Sequence, residues 1–347
     1  MLLFTLRRVA QLIFTVLAGV TLLFFLVYAI PDNPAELAVG GGAKATNPQV
    51  VKNTAKKLGL DRPMLRQYQH YMDRLIFHFD FGTAYSEKTL DSNKSVNALL
   101  KQRAPVSIRL ATWAIIIEIV IGLAFGVLSA RRRNSLADTT TTVAAVVASA
   151  IPVFVLGYLL IQLTYVFANQ HHLPRWMTFP NIGLGPGDSY NAQNGSWFLL
   201  IFPRPSTFKY LVQPAIVLAA VTTAILTRIV RTTVLETSRM DHVRTARAKG
   251  LSEKRVMRRH VTRNAMIPVV TVVGLDFGTA AGAAILTETV FNLKGLGYTV
   301  AHAAANKDLP AVLGFSVVVM LIYGVANLVV DLSYALLDPR VRLGEAK

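Results

Sequence analysis

Six apolar runs constrain this chain more than any other feature. They cover residues 9–30, 105–130, 139–167, 211–235, 265–290 and 310–337. Each is long enough to cross about 30 Å of hydrocarbon as a helix. A helix also satisfies its own backbone hydrogen bonds where no water is present. The pattern predicts an all-α membrane protein, a polytopic bundle of six transmembrane helices. Composition agrees, with 53% hydrophobic residues and only 16% charged ones, where a soluble domain carries about 25% charged. The first run resembles a signal peptide, with Arg7 and Arg8 before it and Val27-Tyr28-Ala29 near its end. Its apolar core exceeds the roughly 7–15 residues of a signal, so it is expected to stay as a span.

The net charge is +17. In a soluble protein that excess would point to nucleic acid. In a membrane protein it sets orientation and faces anionic lipid, so no nucleic-acid partner is expected. Arg131, Arg132 and Arg133 lie between runs two and three, a dense basic stretch from Arg239 to Arg263 lies between four and five, and Arg340 and Arg342 follow six. With six spans these loops share one side with both termini, and the positive-inside rule makes that side cytoplasmic. The expected organisation is an N-terminal tail and first span (1–30), an external helical segment (31–104), a transmembrane core (105–337) with an external loop at 168–210 and a cytoplasmic loop at 236–264, and a cytoplasmic tail (338–347). Within the external segment, Leu65, Tyr68, Met72, Leu75, Ile76 and Phe79 recur at helical spacing and predict an amphipathic helix over 64–79. Residues 47–58 are a second candidate.

The loop between runs four and five has a pattern of its own. Arg244, Thr245, Ala246, Arg247, Ala248 and Lys249 are mostly good helix formers. Gly250 can take a positive φ and end that helix, and Ser252 can cap another running to about Asn264. Small residues at 245, 246 and 248 would let a partner approach closely. From pattern alone, two fates stand open: docking into a partner's groove, or a basic amphipathic loop lying on anionic lipid.

The run from Arg244 to Leu251, followed by His260 and by Arg263-Asn264-Ala265-Met266-Ile267-Pro268, resembles the cytoplasmic signature of binding-protein-dependent ABC importer permeases. The general family carries Glu-Ala-Ala where this chain has Arg244, Thr245 and Ala246, a form similar to the peptide branch. Three further stretches resemble that branch: Leu58-Gly59-Leu60-Asp61-Arg62-Pro63 with Gln67-Tyr68 and Asp80-Phe81-Gly82-Thr83-Ala84-Tyr85; Glu288-Thr289-Val290-Phe291 with Gly295-Leu296-Gly297; and Asn327-Leu328-Val329-Val330-Asp331 with Tyr334 to Arg340. The resemblance implies a permease half of a dipeptide or oligopeptide importer in the cell inner membrane. It implies a second homologous permease, two cytoplasmic ATPase subunits that bind ATP and Mg, and an external substrate-binding protein. It makes Arg244 to Gly250 the coupling helix against an ATPase. Relatives in this branch also move nickel, glutathione or other small solutes.

Other features carry less. The Gly40-Gly41-Gly42-Ala43-Lys44 stretch lacks the spacing of a phosphate loop. ATP hydrolysis, and any cofactor, is therefore expected in partners rather than here. Cysteine is absent, and His171-His172 has no acidic neighbour in sequence, so no metal site is expected. No hydrolase signature or catalytic residue is found. Polar residues inside spans are costly and usually purposeful. Glu118 and Asp276 near mid-span, and Glu288 near an outer end where Arg109 could pair with it, are candidates for a substrate pathway. With Asp331, the carboxylates at 118 and 276 would equally suit the relay of an ion-coupled secondary transporter, the rival class.

Overall fold

The computed structural model describes residues 2–29, 33–39, 47–84, 95–172 and 205–337. The Gly40 stretch, Tyr85, most of the 168–210 loop and the C-terminal tail with Arg340 and Arg342 lie outside them. Among the described residues the secondary structure is helical, apart from an isolated antiparallel bridge between Thr83 and Ser95.

α1 (Leu2–Ala29) begins seven residues before the expected run and carries Arg7 and Arg8 on its first turns. The short α2 (Pro34–Ala38) and α3 (Pro48–Leu58) start at Asn caps followed by proline, whose missing N–H costs nothing in a first turn. α4 (Met64–His78) is the expected amphipathic helix with a narrower inner face. Tyr68 stacks on Phe25 of α1 and its hydroxyl lies 2.8 Å from that of Thr21, whereas Leu65, Ile76 and Phe79 are exposed. Phe79 is not helical; at φ +48° it ends the helix.

α5 (Val96–Arg131) runs 36 residues and passes through Pro105, so residues 96–104 of the expected external segment are the first turns of the second span. The third expected span is broken. α6 (Leu136–Ala150) stops at Ile151, which is extended (ψ 125°), and α7 (Val153–Ile161) restarts after Pro152 and continues through a π-type turn to Gln170. Proline drives its predecessor out of the helical region and supplies no N–H, which accounts for the break. α8 (Pro205–Thr237) packs along α5, and this pair forms the centre of the bundle. Gly122 and Gly126, one turn apart, make that approach possible: a Cβ at Gly126 would lie 2.6 Å from Val230, and one at Gly122 2.7 Å from Leu226.

Beyond the α8 loop come α9 (Asp241–Ala248), α10 (Glu253–Arg255), a π-type turn (Val256–Thr262) and α11 (Arg263–Val290). The helix expected from Ser252 to Asn264 is therefore not separate but the start of the fifth expected run. Ser252 begins it through its backbone and makes no side-chain cap bond. α12 (Leu296–Ala305) was not expected; α13 (Leu309–Leu337) holds the last run.

Five helical stretches among the described residues are long and apolar enough to cross a membrane: Phe4–Ala29, Val96–Arg131, Val153–Gln170, Phe208–Thr237 and Leu309–Val329. The chain is an all-α, multi-pass membrane protein. Arg8 of α1 meets Asp331 of α13 at 3.2 Å, so the Asp331 carboxylate has a partner within this chain.

Candidate functional site

The loop helix α9 is held from three sides. Val243 and Ala246, three residues apart on one face, are buried in a cluster with Val230 and Val234 of α8, Val256 and Val261 of the π-type turn, and Ala265 of α11. Ala246 is thus spent on internal packing, not left free for a partner. The opposite face, with Arg244, Thr245, Arg247, Ala248 and Lys249, is exposed. At the C-terminus, the Gly250 N–H donates to Arg247 O (2.9 Å) and the Leu251 N–H to Ala246 O (3.4 Å), with Gly250 at φ +78°. This is a Schellman ending, and Leu251 packs on the cluster that holds Ala246. A Cβ on Gly250 would meet nothing within 4 Å, so the glycine serves backbone conformation and not close packing within the chain.

Arg247 ties the loop together. Its guanidinium is bidentate to Glu253 (Nη2–Oε1 2.8 Å, Nε–Oε2 3.1 Å) and donates to Ser238 O (3.2 Å). The guanidinium holds the Glu253 carboxyl below its ordinary range, with a smaller contribution from Arg131. Both side chains are well exposed, so the pair fixes geometry more than it adds stability. Asn264 donates to His260 O (2.9 Å) and lies 3.1 Å from His242 Nε2, which joins the start of α9 to the start of α11.

The intramembrane carboxylates divide into two kinds. Glu118 of α5 is 2% exposed and lies beside Asp276 of α11 and Thr222 of α8, so both mid-span candidates meet inside the bundle. Glu288 is fully buried and differently placed. It accepts from the Ser107 hydroxyl (2.5 Å) and the Tyr298 N–H (2.8 Å), while Ser107 accepts from the Leu296 N–H (2.8 Å). Together Glu288 and Ser107 take up orphan N–H groups in the first turn of α12. Gly295 is the close neighbour this needs, since a Cβ there would overlap the Glu288 carboxylate at 2.5 Å. Ser107→Ala should strip one bond from a buried carboxylate and one from a helix N–H. A loss of about 1–3 kcal/mol in unfolding experiments on the purified protein is expected.

Sequence reading missed Ser107. It also missed a buried cluster in which Arg231 of α8 is bidentate to Asp138 of α6 (2.7 and 2.8 Å), with the Ser129 hydroxyl also bonded to Asp138. His171 and His172 are exposed, and no group of three metal-ligating side chains occurs among the described residues.

A family model described as "Binding-protein-dependent transport system inner membrane component" matches residues 122–343, and one for the N-terminal part of such membrane components matches residues 1–111. The chain is 35% identical over 353 residues to the dipeptide transport system permease protein DppB of Escherichia coli (strain K12), covering 99% of each. It is 34% identical to the probable D,D-dipeptide transport system permease protein DdpB of the same organism, covering 95% of this chain and 94% of that one. It is 33% identical to the probable peptide ABC transporter permease protein y4tP of Sinorhizobium fredii, covering 98% and 99%.

Proposed function

This chain belongs to the binding-protein-dependent transport system inner membrane components, and from that membership we propose that it is a permease subunit of an ATP-driven importer for short peptides. The observation that carries the substrate class is similarity along almost the whole chain to relatives named as dipeptide and peptide permeases. The protein sits in the cell inner membrane with both termini cytoplasmic, the side its short basic loops require. It pairs with a second, homologous permease. Two cytoplasmic ATPase subunits hold ATP and Mg, and an external binding protein delivers the peptide. No covalent chemistry occurs in this chain; the spans alternate access as the ATPases close and open.

Within that reading, the exposed face of α9, with Arg244, Thr245, Ala248 and Lys249, enters a cleft on one ATPase. Val243 and Ala246 anchor the helix to α8 and α11, so a push on α9 reaches the bundle through packed side chains. Arg247 and Gly250 set its angle. Glu118 and Asp276 are the candidates for the peptide's path, because a zwitterionic backbone needs polar partners on its way. Glu288 acts as a positioning residue for α12 beside that path.

The test is reconstitution of the four-subunit complex in proteoliposomes. ATP with the loaded binding protein should drive accumulation of a labelled dipeptide, unaffected by ionophores. Uptake driven by an ion gradient without ATP would establish the secondary-transporter reading instead. ATP-driven uptake of nickel or glutathione but not of dipeptide would move the chain to another solute within the same family.

A further inference from the structure

Two stretches from opposite ends of α4, residues 58–63 and 80–83, close around one pocket that the transport reading leaves without a role. Gly59, at φ +70°, ends α3, and Gln67 donates to the carbonyls of Leu60 (3.1 Å) and Arg62 (2.8 Å), folding this turn over α4. From the other side Arg74 grips Asp80 (2.7 Å), and Asp80 accepts the N–H of Gly82 (2.9 Å), itself at φ +99°. The space between measures about 130 Å³ and is floored by Phe24 and Tyr28 of α1, with Pro310 of α13 at its edge. Arg62, Arg66 and His70 line its rim, and Tyr71 lies within.

The donors do not match the acceptors. The Tyr71 hydroxyl is buried and has no hydrogen-bond partner. Such a group costs free energy unless something supplies an acceptor. Burial pushes its pKa well above the ordinary tyrosine value, so it remains a donor. Arg62 and Arg66 form no ion pair among the described residues; no acid lines the wall, and the adjacent Asp80 is taken by Arg74. The missing group is an acceptor with negative charge. Its size follows from the volume: a cavity of about 150 Å³ admits one benzene, so this one fits a single side chain and not a peptide.

We propose that this pocket receives the carboxylate of an Asp or Glu side chain presented by the external binding protein. It thereby links docking to the outer ends of α1 and α13. This rests on the importer reading and on its assignment of α4 to the outside. A carboxylate matches the guanidinium and phenol donors, and the walls of Phe24 and Tyr28 would dry the contact.

The experiment measures binding of the purified, peptide-loaded binding protein to the complete importer in nanodiscs, at low and at high salt. Arg62→Gln with Arg66→Gln should weaken binding at least tenfold at low salt and flatten its salt dependence, while Lys at both positions should retain most of the affinity. Tyr71→Phe should weaken binding severalfold with the salt dependence unchanged, a result a general charge effect would not give. Acetate should compete with docking more strongly than inorganic phosphate; the reverse order would overturn the carboxylate assignment. Unchanged affinity in the double Gln variant would overturn the proposal outright. If the wild-type importer failed to take up peptide with ATP, the importer reading would fall, while the docking measurement would still decide the pocket.

Discussion

A Gly250→Val importer should assemble in the membrane, bind its loaded external partner and hydrolyse ATP, yet accumulate little or no peptide. The reasoning starts from one dihedral angle. Gly250 sits at φ +78°, and a Cβ there meets no neighbour within 4 Å. The penalty for valine is therefore backbone strain alone, about 1–3 kcal/mol for a branched side chain in the left-handed region. The chain can relieve that strain by rotating out of the region, which breaks the Gly250 and Leu251 bonds to the last turn of α9. α9 would then lose its fixed end while Val243 stays buried. The spans are untouched, because no packing contact depends on the glycine's missing side chain. Under the proposed coupling role, a misdirected α9 no longer transmits ATPase closure. Gly250→Asn is the internal control, since asparagine tolerates positive φ, and it should recover much of the uptake. The readout is ATPase stimulation and dipeptide uptake measured on the same proteoliposomes. Normal uptake by correctly inserted Gly250→Val would remove Gly250 from coupling; equal failure of the Asn variant would show that bulk, not conformation, is the problem.

Much of this architecture was legible because its causes are local. Long apolar runs announce spans, and the spacing of apolar residues over 64–79 announces α4. A glycine after helix formers announces the end of α9, and that ending is present with its two return bonds. What local spacing does not supply has one origin. Pro152 lies inside the expected third span, and the extended backbone at Ile151 shows that it interrupts the helix. Ala246 looked available by its size, yet burial depends on Val230 and Val256, which local spacing does not place beside it. Arg247 was expected in the coupling helix, and its bond to Glu253, six residues on, is not read from that spacing. Glu288 was an expected pathway carboxylate, and its partner Ser107 lies 181 residues away. Long-range polar pairing leaves no periodic trace, so an intramembrane acid announces that it needs a partner without naming it.

The same limit hid the contact whose loss should cost most stability. Asp138 is 4% exposed and bonded on both carboxylate oxygens. Arg231 of α8 is bidentate to it at 2.7 and 2.8 Å, the Ser129 hydroxyl of α5 donates to Oδ1, and the Asn134 N–H donates to Oδ2 at 3.0 Å. One side chain of α6 therefore joins α5, α8 and the α5–α6 turn. α6 needs such a clip, because the break at Pro152 cuts it off from α7 and leaves Val143, Val146 and Val147 exposed. Asp138→Ala strands the Arg231 guanidinium without its partner. Breaking a buried pair from one side costs about 3–5 kcal/mol, and because the Arg231 side chain is 29% exposed the lower end, about 3 kcal/mol, is expected. Arg231→Met should cost a similar amount by leaving the carboxylate buried and unpaired. Asp138→Ala with Arg231→Met should be more stable than either single change, since removing both charges leaves no orphan. The three variants and wild type would be compared by unfolding in one detergent, with the apparent midpoint as readout. If each single variant unfolds with wild type, the pair does not hold α6 to the bundle; if the losses simply add, the two residues act separately and the clip is not a unit.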